Sequence, residues 1–150
     1  MSEGLKLSAM EAEDITVLSA AMVGSITSPG EMSYSQTVRH FTLTASRFMW
    51  EKYGSSTPSA LRVRSGLFFS DILSVKASGI SQGTPTSVME LLTISCTSGE
   101  DGAAEIRLNF AGGGILCLDA ECINVTLTDV GDPWKADGIP SYEGDITGSD

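Results

Sequence analysis

The sequence predicts an α+β fold dominated by antiparallel strands: an N-terminal helix followed by six or seven strands in a meander-like sheet or small barrel. Three observations carry this. One segment near the N-terminus repeats its apolar residues at helical spacing. Most of the remainder alternates apolar and polar residues between Gly-, Ser- and Asp-rich turns. A chain of 150 residues with 41% hydrophobic content has material for one core and is too short for two ordinary domains. A pleckstrin-homology-like barrel is one form of this class, in which residues 122–130 become a covering helix instead of the last strand.

The helix is expected over residues 11–24. Glu11, Glu13 and Asp14 stand in its first turns, where carboxylates favour the positive end of the helix dipole. Ile15, Leu18, Met22 and Val23 give it one apolar stripe, and Gly24 is placed to end it. Pro29-Gly30 then signals a turn into a short strand at residues 31–34. From Arg39 to Trp50 the period is two, with Phe41, Leu43 and Ala45 on one side and Thr42, Thr44 and Ser46 on the other. Phe48, Met49 and Trp50 interrupt that alternation, which predicts a bulge or strand end. Residues 54–59 read as a loop.

Residues 61–80 read as two strands or one bent strand, with Gly66 and Ser70-Asp71 as the points of interruption. A Gly/Ser/Thr loop over 78–85 leads to a strand at 89–96. A hairpin through Ser98 to Gly102 joins it to a strand at 104–110, and Gly112-Gly113-Gly114 turns the chain into 115–120. The final strand, 122–130, carries Ile123, Val125 and Leu127 on one face. Leu116, Leu118 and Ala120 have the opposite parity, so a bulge near Cys122 is expected between them. Residues 129–150 hold six acids and one base, Lys135. The boundary is therefore placed with a globular domain at 1–134, closed by Trp134, and a loosely ordered acidic tail at 135–150.

The second half resembles a known family. Its stretches are Phe69-Ser70-Asp71-Ile72-Leu73-Ser74-Val75-Lys76-Ala77-Ser78-Gly79-Ile80, Leu91-Leu92-Thr93-Ile94, and Phe110-Ala111-Gly112-Gly113-Gly114-Ile115. Leu118-Asp119-Ala120-Glu121-Cys122-Ile123 and Asp129-Val130-Gly131 ahead of Trp134 complete the set. With Glu13-Asp14-Ile15 and Arg47-Phe48-Met49-Trp50, their order and spacing resemble the small proteobacterial proteins of domain of unknown function 2948 (DUF2948), across roughly residues 5–134. Cys117 stands where that family has a basic residue and Ala120 where it has valine. The resemblance implies a bacterial cytosolic protein and supplies no activity, cofactor or catalytic residue.

Charge and composition narrow the function further. Acids outnumber bases 19 to 9, a formal net charge of −10, which disfavours a nucleic-acid binder. No apolar run approaches the ~18 residues a membrane helix needs. Residues 1–14 carry the wrong charge sign for a secretory leader, so a cytoplasmic protein is expected, with Cys96, Cys117 and Cys122 as buried reduced thiols. The single histidine, His40, reads as a half-exposed strand residue with no nucleophile beside it. Cys117, Asp119 and Glu121 share a strand face, a stripe that alternation alone produces. The glycine triplet lacks the Lys and Ser/Thr of a phosphate-binding loop. No catalytic residue, metal ligand or cofactor site is predicted.

One asymmetry remains. Between Arg39 and Lys76 there are six bases and two acids. Arg62 and Arg64 share a strand face with Phe68, and Arg47, Phe48, Trp50 and Tyr53 are close in sequence. Arg47, Trp50, Arg62 and Arg64 are therefore the candidate binding residues, a basic-aromatic face suited to a carboxylate, a phosphate or an acidic segment. The plainer reading is that these arginines neutralise the chain's own acidic tail or solvate an edge strand. The expected function is a non-catalytic binding or protein-interaction module, acting on a protein partner or on itself. The alternative is a small-molecule-binding protein or weak enzyme with a pocket between helix and sheet.

Overall fold

In a computed structural model that describes residues 4–53, 60–80 and 83–140, the apolar stripes converge as their periods predict. A short strand, β1 (Lys6–Ala9), precedes the helix α1 (Ala12–Met22). The Asp14 carboxylate accepts the N–H groups of Met10 and Glu11 at 3.1 Å each, which satisfies donors that the first turn leaves open. Ile15, Leu18 and Met22 are buried on one face of the helix.

The strands that follow are β2 (Ile26–Thr27), β3 (Met32–Ser35), β4 (His40–Phe48), β5 (Leu61–Phe69) and β6 (Ile72–Ser78). Then come β7 (Met89–Ser98), β8 (Ala104–Phe110), β9 (Ile115–Ala120) and β10 (Val125–Lys135). Among the described residues all pair antiparallel in one ten-stranded sheet that does not close, in the order β1-β10-β5-β4-β2-β7-β8-β9-β6, with β3 beside β4. The α+β antiparallel class therefore holds, with more strands than expected. Two of them, β1 and β2, lie outside every predicted strand and are four and two residues long, too short to show a period. Residues 61–78 form two strands rather than one bent strand. Residues 125–135 are strand, so no covering helix forms there. The loop predicted at 54–59 and the tail beyond 140 lie outside the described residues.

Two corners divide the sheet into halves whose inner faces share one core. Phe41, Leu43, Leu67, Phe69 and Leu127 come from one half, and Leu91, Ile106, Leu108, Leu116 and Leu118 from the other. The β5–β6 corner falls at Ser70-Asp71, where Asp71 has φ +60°, and Gly66 stays within β5. The second corner, residues 121–124, changes the parity between β9 and β10, so the expected bulge is instead a change of sheet half. The corners hold each other: Ser70 N–H donates to the Asn124 carbonyl at 2.9 Å and Glu121 N–H to the Asp71 carbonyl at 2.8 Å.

Gly24 follows α1 at φ +86°, and a Cβ built there would fall 2.4 Å from Pro140 Cβ. The C-terminal segment thus packs onto the end of the helix, with Ala136 N–H donating to the Ala60 carbonyl at 2.8 Å. Among the described residues no helix is long and apolar enough to cross a membrane. Gly24→Ala should lower stability by about 1–3 kcal/mol through the left-handed backbone and the clash with Pro140, read as a shift of the denaturation midpoint at constant slope.

Candidate functional site

The four candidate binding residues separate onto two sides of the sheet. Arg47 lies on the inner face of β4, continuing the row Phe41, Leu43, Ala45, and its side chain is fully buried. Its Nε and Nη2 donate to the Asp129 carboxylate at 3.0 and 2.7 Å. Its Nη1 and Nη2 donate to Glu51 at 3.0 and 2.7 Å, and Nη1 reaches the Ala21 carbonyl at 3.4 Å. The Asp129 side chain is also fully buried. It accepts Ser65 Oγ at 2.6 Å and Leu5 N–H at 2.8 Å. The guanidinium of Arg47 thus meets the buried Asp129 and the part-exposed Glu51 and is itself closed off from solvent.

The outer side holds the other three. Trp50 Nε1 donates to the Val23 carbonyl at 2.8 Å, and its ring sits 4.5 Å from that of Phe48. Arg62 lies over the same Phe48 ring at 5.8 Å and donates to the Ser46 carbonyl at 2.7 Å. Burial lowers the pKa of Arg62, and nearby Glu90 and Asp137 only partly oppose this. Arg64 is exposed and pairs with Glu31 at 2.8 Å. Trp50 and Arg62 are brought together around Phe48, and the charges of Arg62 and Arg64 are answered within the chain.

The remaining chemistry is dispersed. His40 is half-buried with its ring 4.6 Å from Phe68. None of the three thiols is fully buried: Cys96 and Cys117 are intermediate and Cys122 is exposed. That corrects the expectation of buried cysteines; Cys122 sits at a corner and donates to Asp71 at 3.3 Å. The hydrogen bond to Asp71 and then desolvation push the Cys122 thiol up, and burial raises Cys96. Asp119 accepts from Ser74 and Glu121 pairs with Arg39. Among the described residues no group of three or more His, Cys, Asp or Glu is arranged to hold a metal. Gly112 and Gly113, both at positive φ, form the turn between β8 and β9.

A wider opening lies elsewhere: an open groove of about 670 Å³ between α1 and β7, lined on the helix by Ala12, Thr16, Ser19 and Ala20, with Ile15 and Val23, and on the strand by residues 92–96. Gly24 and Ser25 hydrogen-bond Leu91, and Ser19 Oγ accepts Ile94 N–H at 2.9 Å. The helix therefore runs antiparallel to β7. A register shift at Leu92 turns the Ile94 N–H toward the helix side, and alternation directs those of Cys96 and Ser98 the same way. Among the described residues β7 beyond Glu90 has a strand on one side only, β8. The small residues at positions 12, 16, 19 and 20 are the one sequence signal for this groove, and they read equally as a solvated helix face.

A family model described as "Protein of unknown function (DUF2948)" matches residues 5–142. No curated protein and no solved structure matches the chain.

The Arg47 cluster has a measurable consequence. Asp129→Asn leaves the buried guanidinium without its fully buried partner and should cost about 3–5 kcal/mol, read by denaturant titration. Burial pushes the Asp129 carboxyl up, but bonds from Arg47, Ser65 and Leu5 outweigh this and hold it below the usual range. Glu51 is held low in the same way by Arg47. Depressed carboxylates stabilise the fold above their unfolded value and lose that contribution as pH falls through the folded value. Wild-type stability should therefore fall as pH drops below about 4, with a shallower decline in Asp129→Asn.

Proposed function

The chain belongs to the DUF2948 family, and on that premise we propose that it is a cytoplasmic, non-catalytic binding module that holds an extended segment of a protein partner between α1 and β7. The observation that carries this is the edge of β7 beyond Ile94, which among the described residues has no partner strand, beside a groove. Backbone N–H and C=O groups along such an edge are satisfied by an added strand, and side chains of the added strand alternate into the adjoining groove. Ala12, Thr16, Ser19 and Ala20 project little, which leaves room for another backbone beside the helix.

Charge specifies the partner further. Ala12 in the first turn of α1 lines the groove, and Glu11 and Glu13 on either side of it in sequence are exposed, on a chain of net charge −10. A basic segment is attracted to that end, and nucleic acid is repelled. Free thiols at Cys96, Cys117 and Cys122 suit a reducing compartment. The outer arginines are engaged with Ser46 and Glu31, which favours the groove over the basic-aromatic face as the working surface.

The test pans a random-peptide library against the protein and titrates the selected peptides into defined variants. Thr16→Trp fills the groove from an exposed helix position, and Cys96→Pro removes an edge N–H where proline is tolerated. Each should weaken binding at least tenfold, and Arg62→Glu combined with Arg64→Glu should leave it unchanged. Failure to select any peptide, or peptides indifferent to Thr16→Trp and Cys96→Pro, contradicts the proposal. Loss of binding in the double arginine variant returns the site to the outer face.

A further inference from the structure

A second opening lies where the sheet fails to close. Among the described residues β3 pairs only with β4 and β6 only with β9, and these two edge strands face each other across a gap. On β6, Val75 and Ala77 stand opposite Leu118 and Leu116, which places them on the core-facing side. Leu116 and Leu118 are buried, yet Val75 is half-exposed and Ala77 is exposed. On β3, Met32 and Tyr34 stand opposite Leu43 and Phe41 and are likewise only half-buried. These four side chains wall a slot of about 380 Å³ whose floor is Phe41 and Leu116, at 3% and 4% exposure.

The shape of the slot limits its occupant. Tyr34 Oη donates to the Ile72 carbonyl at 2.9 Å, and Ile72 N–H donates to the Arg39 carbonyl at 2.9 Å. Together they bar one end. A strand completing the sheet must run out at both ends, so a polypeptide is obstructed, and a compact molecule entering from the open end is not. Among the described residues no charged side chain lines the slot, and Pro29, Ile80 and Pro85 form its rim. An ion placed there loses hydration with no counter-charge in return. The volume falls within the usual range for small-molecule sites.

From this geometry we infer that the β3–β6 slot binds a small, uncharged, predominantly apolar molecule, its apolar part on Phe41 and Leu116. The inference is independent of the α1–β7 groove, which lies against β7 on another part of the sheet.

The probe is N-phenyl-1-naphthylamine, an uncharged fluorophore that brightens in apolar surroundings. It should bind the full chain at one site, and Ala77→Trp, which fills the slot from an exposed position, should weaken it at least tenfold. Thr16→Trp, which blocks only the other groove, should leave it unchanged, so the two proposals fail separately. Saturating probe should shift the backbone amides of Met32, Tyr34, Val75 and Ala77 in a ¹H–¹⁵N spectrum of the wild type, a readout that needs no variant to fold. Absence of binding, indifference to Ala77→Trp, or shifts centred on α1 would overturn the inference.

Discussion

The buried guanidinium of Arg47 ties together more of the chain than any other single side chain described. It joins β4 to β10 through Asp129, to the turn after β4 through Glu51, and to the end of α1 through the Ala21 carbonyl. Asp129 extends the same network to β5 through Ser65 and to the residue just before β1 through Leu5. Each partner answers a desolvation cost that Arg47 alone would impose. The result is a polar plug at one end of an apolar core, and the alternation of β4 carries Arg47 to it in the same register that buries Phe41 and Leu43.

This plug explains why a charge count misleads here. The excess of bases between Arg39 and Lys76 looks like a surface, because arginines are exposed in most proteins. Period two, followed strictly, puts Arg47 inward with Phe41, Leu43 and Ala45. The acid that makes inward burial tolerable lies 82 residues away at Asp129, and no local pattern links the two. Arg64 finds Glu31 in the same non-local way. A stretch that reads as basic is therefore largely neutralised by acids from other elements.

Fold class was legible because period carries it. The stripe of Ile15, Leu18 and Met22 gave the helix, and the inward rows of β4, β8 and β9 gave strands at nearly their observed bounds. Strand order was not legible: β5 and β6 adjoin in sequence yet lie in different halves, and the turn at Asp71 looks like any other Ser-Asp break. The two openings were invisible for a related reason. Each exists because an edge lacks a neighbour, at β7 beside α1 and at β6 across from β3, and pairing is a property of topology that local sequence does not encode. Small side chains at Ala12, Thr16 and Ala20 and the exposed but core-facing Ala77 are their only local traces.

Partner binding at α1 requires an open edge on β7, and amide hydrogen exchange along that strand measures it directly. With β8 on one side only, the amides of Cys96 and Ser98 should exchange rapidly in the free protein, and those of Ser95 and Thr97, directed at β8, should be protected. That alternation would establish an edge awaiting a partner strand. Uniform protection from Ile94 to Ser98 would mean that the edge is already covered, and the groove would then have no backbone to offer.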